Sequence, residues 1–374
     1  MVEEKEEILT REDVLRRIQE NGGKAEGLDL SGKVFEESID LRGLNLSGTI
    51  LRRTDLSGSH PPTEDNTGFG IYYSPKTQGA HLEKAYLYNS DLREAMLAYV
   101  HFERSILARA KLDKATLWDA HLEEADLTNT SLKEADLESA CLQEARLYGA
   151  DLQDSNLSNA KLQMSRLFYA KLKGASLNGA HLEGADLSDA ELEGAYLSGA
   201  QFDNSTRLQD IKWGNYLIGE EIDGPLDSAL DTYRRLKIWY TNAGMYDVAG
   251  KFFYREMEAR RKFRRWKAEP HLKLWDWILR LLCGYGEKWW RVIIWAAAVV
   301  LGLGLIYFFL GALSSATFPG CLYYSVVSFT ALGYGSWVYT EPASWAKGLG
   351  AAEAALGVFM MALFLVTFTR KMTR

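Results

Sequence analysis

The chain has 374 residues, with 43 Lys or Arg and 50 Asp or Glu, so its formal net charge is −7 at pH 7. The length suggests two or three domains, and the acidic balance does not indicate a nucleic-acid-binding surface. Three cysteines without metal or disulfide spacing fit a reducing compartment, and the absence of a Walker loop, a serine–histidine elbow or a dinucleotide-binding glycine motif argues against an enzyme.

Residues 1–27 are predicted to form an N-terminal cap. The first seven residues are mostly acidic and have no apolar core, so no signal peptide is expected. Apolar side chains within residues 8–20 predict a short helix, and Thr10 is a candidate N-cap. We expect this helix to close one end of the domain that follows.

A five-residue pattern dominates the next part of the chain. Leu or Phe occupies every fifth position from Leu82 to Phe202, which gives 25 repeats, and a small residue precedes most of them by two positions. A helix has a period of 3.6 and a flat strand a period of 2, so neither explains this spacing. A fixed short repeat predicts a solenoid whose stacked units share one core.

The pattern resembles the pentapeptide-repeat family, A-(D/N)-L-x-x, over residues 28–205. The resemblance implies a right-handed quadrilateral β-helix with twenty residues in each coil. At the ~4.8 Å spacing of neighbouring strands, 25 repeats would stand roughly 30 Å tall. Four earlier leucines between Leu41 and Leu56 keep the same step and would add about one coil. Residues 60–78 break the pattern and are predicted to be an inserted loop.

A period of twenty places four of the six histidines in one column: His81, His101, His121 and His181. Glutamate follows each of them by two positions. This column could bind a ligand such as a metal ion, or could sense protons, because imidazoles about 5 Å apart are costly to charge together. The simpler interpretation is a solvated polar ladder, and we predict no metal centre. Aromatic side chains on another face could contact a cytoplasmic protein partner.

Helical periodicity begins near Asp227 and predicts a helical hairpin connector over residues 206–270. This hairpin resembles a single tetratricopeptide-like unit, and a structural adaptor is preferred over a peptide-binding module. A basic run at residues 255–267 precedes residues 271–289, where Trp and basic residues accompany an apolar stripe. That combination predicts an amphipathic helix in contact with membrane lipid at the bilayer interface.

Two apolar stretches, 292–310 and 348–368, are long enough to cross a bilayer. Basic residues flank the beginning of the first stretch and the end of the second. The positive-inside rule therefore predicts a multi-pass protein of the plasma (inner) membrane, with both termini and the repeat domain in the cytoplasm.

Between the two stretches lies the run Ser325-Val-Val-Ser-Phe-Thr-Ala-Leu-Gly-Tyr-Gly-Ser336. Residues 290–374 resemble the two-span potassium-channel pore, in which a re-entrant loop aims backbone carbonyls at a dehydrated cation. The resemblance implies a potassium ion in the filter and a homotetramer, since one chain supplies one filter strand. The filter residues that it implies are Thr330, Ala331, Leu332, Gly333, Tyr334 and Gly335.

The sequence departs from the family at two filter positions. Ala331 stands where a threonine normally supplies an oxygen, and Ser336 replaces the usual aspartate. These departures bring potassium selectivity into question, although Glu341 or Glu353 could restore a negative field. A charged residue in an apolar span is a functional candidate by default, so we expect Glu353 to bond Thr330 or Tyr324 or to be hydrated near the outer interface. Gly357 resembles the gating-hinge glycine.

The sequence therefore predicts a multidomain protein with a β-helix, a helical connector and an α-helical two-span membrane pore. The favoured function is a homotetrameric potassium-channel-like cation channel whose repeat domains serve regulation or docking, with no cofactor. One alternative is a weakly selective or tension-gated cation channel. The other is a membrane-tethered scaffold that does not conduct.

Overall fold

The computed structural model describes residues 8–36, 39–54, 56, 79–263, 270–311, 317–331 and 344–372. The chain divides into two compact units, residues 1–232 and 233–374. The first unit contains the five-residue repeats, and the second contains the long apolar helices.

The repeats form a β-helix. Parallel β-bridges join residues twenty positions apart, as between His101 and His121, and the leucine of each repeat points into a continuous core. From Leu87 to Leu192 these leucines are at most 2% exposed. The small residue two positions earlier is buried as well, which lets neighbouring sides of the coil approach closely.

A tight turn separates one repeat from the next. In the first of the long series, the amide of Ala85 donates to the carbonyl of Leu82, and Lys84 between them has φ of 58°. The equivalent position is left-handed along most of the helix, and glycine occupies it in several of the later coils, as at Gly174. This geometry is that of a turn whose second central residue has positive φ. One such turn in each repeat explains why the chain turns a corner of the coil every five residues.

The β-helix extends beyond the end that the sequence predicts. We expected the pattern to stop after Phe202, but bridges also join Asp186 to Arg207 and Glu191 to Lys212. These pairs are separated by 21 residues rather than twenty, because one extra residue enters the coil between Phe202 and Arg207. The hydroxyl of Thr206 donates to the carbonyl of Leu182 at 2.9 Å and restores the inward register.

The N-terminal end of the core is covered by a short strand and a helix. Strand β1, Ile8–Leu9, pairs in parallel with β2, Val34–Phe35, and helix α1 spans Arg11–Glu20. The expectation of one helix over 8–20 is therefore wrong for Ile8 and Leu9, because these residues pair with the first coil. Thr10 is the N-cap as predicted, and it forms a capping box with Asp13.

The described residues of the connector form three helices: α2, Gly219–Ile222; α3, Leu226–Asn242; and α4, Tyr246–Phe263. Within the second unit, Tyr240 of α3 stacks on Phe252 of α4 at 5.5 Å between ring centroids. The buried carboxylate of Glu256 accepts from Arg234 at 3.1 Å and from Lys237 at 2.7 Å. The predicted hairpin is thus held by an aromatic core and a buried ion-pair network.

The remaining helices are α5, Pro270–Cys283; α6, Trp289–Phe309; α7, Phe318–Thr330; and α8, Ser344–Met372. A 3₁₀ turn, Gly284–Gly286, joins α5 to α6. Among the described helices, α6 and α8 are long and apolar enough to cross a membrane, over Trp289–Phe309 and Trp345–Thr369. Helix α7 is shorter and packs against both of them.

Candidate pore site

Helix α7 is the element that leads into the predicted filter. Thr317 caps its N-terminus, where its hydroxyl accepts from the amide of Gly320, and Pro319 lies in the first turn. Tyr307 of α6, Cys321 and Tyr324 of α7 and Ala346 of α8 form one buried cluster. The short helix is therefore fixed between the two long ones along its N-terminal half.

Glu353 of α8 is buried where the three helices meet. Its side chain is 2% exposed, so the expected hydration near the outer interface is wrong. Its Oε2 accepts from the hydroxyl of Tyr307 on α6 at 2.9 Å, and its Oε1 contacts the hydroxyl of Ser325 on α7. The Ser325 hydroxyl also lies 2.9 Å from the carbonyl oxygen of Val300. One carboxylate therefore joins α8 to both other helices.

The two partners that we expected for Glu353 bond elsewhere. Thr330 donates to the carbonyl of Val326 in its own helix at 2.8 Å, and Tyr324 donates to the carbonyl of Ala346 at 3.3 Å. That expectation is wrong because Glu353 faces Ser325 in the middle of α7, more than one turn before Thr330. The sequence analysis did not predict Ser325 or Tyr307 as partners of Glu353. Tyr307 could have been noticed, because it carries the one hydroxyl of the apolar helix α6. Ser325 is one of several hydroxyl residues in α7, so nothing in the sequence distinguishes it.

Two of the predicted filter residues, Thr330 and Ala331, lie among the described residues. Ala331 ends α7 in the left-handed region, with φ of 53°, and its amide donates to the carbonyl of Ser328 at 3.1 Å. The chain therefore changes direction where the predicted filter begins. The other predicted filter and tuning residues lie outside the described residues: Leu332, Gly333, Tyr334, Gly335, Ser336 and Glu341.

Gly357 lies where α8 crosses the end of α7. A β-carbon on Gly357 would come within 1.8 Å of the carbonyl oxygen of Phe329 and within 2.7 Å of its carbonyl carbon. No side chain fits between these backbones, so a glycine is needed here for close packing. A role as a gating hinge remains a prediction.

The four histidines of the repeat domain lie in one column, as the period of twenty predicts. Their column neighbours include Cys141 and Lys161, which separate His121 from His181. His81, His101 and His121 stack directly on one another, at 4.8 Å and 4.6 Å between ring centroids. This column is remote in sequence from the pore.

Helix α5 carries the features expected of an interfacial helix. Leu274, Trp275 and Trp277 are 49–51% exposed in this chain, and Arg280 pairs with Glu258 of α4 at 2.7 Å. The indole of Trp295 on α6 donates to the carbonyl of Leu281 at 3.1 Å, so α5 is tied to the first apolar helix. Exposed tryptophans next to a membrane-length helix are typical of an element at the bilayer surface.

Comparison with protein families finds a match for each of two parts of the chain. The model for pentapeptide repeats matches eight copies within residues 78–204, and the model described as an ion channel matches residues 290–374. Neither matched family is a family of enzymes. Comparison with curated proteins finds no match.

Several solved pentapeptide-repeat proteins resemble part of the chain. QnrB1, a plasmid-mediated fluoroquinolone resistance protein, is 17% identical, with 48% of this chain and 84% of that chain covered and a TM-score of 0.36. HetL, involved in heterocyst differentiation regulation in the cyanobacterium Nostoc sp. strain PCC 7120, is 27% identical over 55% of this chain and 96% of its own, with a TM-score of 0.24. A third, alr5209 from Nostoc PCC 7120, is 33% identical over 28% of this chain and 84% of its own, also with a TM-score of 0.24.

Proposed function

We propose that this chain, which joins pentapeptide repeats to an ion-channel domain, forms a cation channel that conducts potassium. The observation that carries the proposal is helix α7, which is clamped between two membrane-length helices and ends immediately before Leu332-Gly-Tyr-Gly335. Irregular backbone at membrane depth is tolerated where it is buried in protein or lines a watery cavity. A loop that follows such a helix is therefore suited to coordinate an ion with its carbonyls.

The contacts around Glu353 support a rigid frame for this loop. Filter carbonyls can replace an ion's hydration shell only if the loop is held in place, and α7 is its support on one side. Glu353 reaches both α6, through Tyr307, and α7, through Ser325. We assign Glu353 to positioning the pore helix rather than to contact with the ion.

Four copies of the chain are needed to enclose the ion. One chain contributes a single filter strand, and carbonyls on one side of an ion cannot replace its whole hydration shell. We therefore propose a homotetramer in the plasma (inner) membrane, with both termini and the repeat domains in the cytoplasm according to the basic flanks. The repeat domains would then act in regulation or docking.

Weak selectivity is the second candidate, and one observation favours it. Ala331 offers no hydroxyl at the position where the potassium-channel family that residues 290–374 resemble has threonine. Its positive φ is also unfavourable for a β-branched residue. The exposed tryptophans of α5 would additionally suit gating by membrane tension. The carbonyls that follow Ala331 do not depend on its side chain, so conduction itself is expected in either case.

Reversal potentials under bi-ionic conditions test the proposal. The full-length protein is reconstituted in a planar bilayer with potassium on one side and sodium on the other. A permeability ratio above about ten in favour of potassium supports the selective channel, and a ratio near one supports the weakly selective alternative. An assembled protein that passes neither ion would contradict the channel proposal and support the alternative of a membrane-tethered scaffold that does not conduct.

A further inference from the structure

Three successive coils of the repeat domain present a histidine and, two positions later, a glutamate at the same place in the coil. The histidines are His81, His101 and His121, whose rings are nearly parallel, with interplanar angles of 14° and 8°. Their side chains are 25–39% exposed, so the column is accessible from solvent. The feature is a short ladder of imidazoles with one edge open.

Each histidine has a carboxylate beside it. The Nδ1 atoms of His81 and His101 lie 3.0 Å from Oε1 of Glu83 and Glu103, and the third pair, at His121, is separated by 3.4 Å. The second oxygen, Oε2, of each glutamate is buried and has no hydrogen-bond partner among the described residues. Buried carboxylate oxygens without a donor are costly. The equivalent side-chain oxygens of Gln143, Gln163 and Glu183 in the same column are also buried without a partner among the described residues, so what distinguishes the three glutamates is the stacked imidazoles beside them.

We propose that this ladder binds one divalent transition-metal ion of the zinc class, held by two adjacent imidazoles and a glutamate carboxylate. Imidazole nitrogen and carboxylate oxygen are the ligands that such ions favour, and three protein ligands with one open position make a complete site. In the triad His81–Glu83–His101 and in the triad His101–Glu103–His121, one ligand atom from each residue lies within 4.8 Å of the others. The site is independent of the pore and of its proposed function.

His101 is central to this site because it belongs to both triads. A single imidazole nitrogen cannot serve two ions, so the triads compete, and the expected stoichiometry is one ion per chain. Loss of an outer histidine leaves one triad intact, whereas loss of His101 leaves two incomplete ones.

The fourth histidine of the column provides an internal control. His181 also pairs with its glutamate, Glu183, at 3.4 Å, but its neighbours in the column are Lys161 and Gln201. Among the described residues, no second imidazole therefore lies directly above or below His181 in the column. His181 and Glu183 offer the same local pair as the ladder without the second nitrogen ligand.

Below His121 the ladder ends at Cys141, which forms a third triad with His121 and Glu123. Cys141 is 8% exposed. Its sulfur contacts the ammonium of Lys161 at 3.7 Å. A cation held by this triad would lie beside that ammonium, so we place the ion at the histidine triads.

Zinc titration of the full-length protein in detergent, purified without a polyhistidine tag, tests the proposal by isothermal calorimetry. All variants are made in a Cys141→Ser background, which removes the triad with the thiol. The background protein should bind one zinc ion per chain, and His181→Gln should not change its affinity. His101→Gln should weaken binding by at least about tenfold, because both triads lose a ligand.

Substitution of the two outer histidines, His81 and His121, provides a second test. His81→Gln and His121→Gln should each retain binding within a few-fold, whereas the double variant should match His101→Gln. The proposal is overturned if Cys141→Ser alone abolishes binding, if His101→Gln binds as well as the background protein, or if His181→Gln is equally damaging. A column that takes up only protons and no zinc would also overturn it. An unchanged melting temperature of His101→Gln excludes misfolding as the cause of a loss.

Discussion

The backbone of Gly357 touches the carbonyl of Phe329, so that a β-carbon at Gly357 would overlap the carbonyl oxygen at 1.8 Å. This contact joins the second membrane-length helix to the last turn of α7, one residue before Thr330. The end of α7 that leads into the predicted filter is therefore positioned by backbone packing.

Gly357→Ala is predicted to disrupt this contact and to reduce channel activity strongly. The clash involves backbone atoms, which cannot move aside as a flexible side chain can, so α7 must shift. Single-channel recording of the reconstituted variant measures the effect. Gly348→Ala on the same helix is the matched control, since a β-carbon there meets nothing within 4 Å. Equal activity of both variants would contradict the packing role.

The hydrogen bonds of Glu353 are predicted to stabilise the pore domain. Glu353→Leu removes the acceptor of the Tyr307 hydroxyl and leaves that hydroxyl buried, which costs about 1–3 kcal/mol. Tyr307→Phe alone removes one bond and should cost about 1 kcal/mol. Thermal unfolding in detergent, followed by tryptophan fluorescence, measures both.

A double variant distinguishes this bond from general packing. If Tyr307 acts through Glu353, Tyr307→Phe should not destabilise the Glu353→Leu protein further and should recover part of the lost stability, because it removes the hydroxyl that has lost its acceptor. Tyr323→Phe on α7, at a side chain that is 47% exposed, is the control and should not change unfolding. Strict additivity of the two single effects would show that the bond contributes nothing.

The side chain at Ala331 is predicted to tune selectivity. Ala331→Ser adds a hydroxyl without a β-branch and is compatible with positive φ more readily than threonine. We expect it to raise the potassium-to-sodium permeability ratio. Ala331→Gly, which relaxes the same backbone without adding an oxygen, is the matched control. A rise in both variants would assign the effect to backbone strain.

The repeat domain is predicted to lose stability when a core leucine is shortened. Leu152 is fully buried, so Leu152→Ala should destabilise that domain by about 2–5 kcal/mol. Met164→Ala, at a side chain that is 61% exposed, should have little effect. Circular dichroism during urea denaturation compares them.

Asp203 lies in the segment between Phe202 and Arg207, where the last coil contains one extra residue. We predict that Asp203 makes the repeat domain sensitive to acid. Hydrogen bonds from Ser205, then from the amide of Gly184, lower the pKa of Asp203 from 3.8 to about 2. A carboxyl whose pKa is lower in the folded state stabilises the fold above the unfolded pKa. That stabilisation is lost as the pH falls from about 4 to 2.

The comparison of Asp203→Asn with the unaltered protein measures this dependence. The melting temperature of the unaltered protein should fall more steeply between about pH 4 and pH 2 than that of the variant. Parallel curves would show that Asp203 does not contribute.

The sequence predicted most of the repeat domain because each leucine and each small residue has one place in the five-residue repeat. The register of His81 and His101 followed from the same period. The extra residue near Asp203 was not predictable in this way, because Thr206 restores the register only through a hydrogen bond across the coil to Leu182.

The pore site was less predictable from sequence. The run from Ser325 to Ser336 pointed to a re-entrant loop between the two apolar stretches. The partners of Glu353, however, depend on how three helices are rotated about their axes. An apolar helix in a membrane lacks the polar face that fixes this rotation in a soluble protein. The bonds from Tyr307 and Ser325 therefore had to be seen in three dimensions.

Potassium flux into liposomes that contain the full-length protein is the most direct test of the channel. The unaltered protein should conduct potassium, and Gly333→Val, in the predicted filter, should abolish the flux while leaving assembly unchanged, because a β-branched residue disfavours the backbone angles open to glycine. Absence of flux from assembled protein, or equal flux from the Gly333→Val variant, would contradict the account.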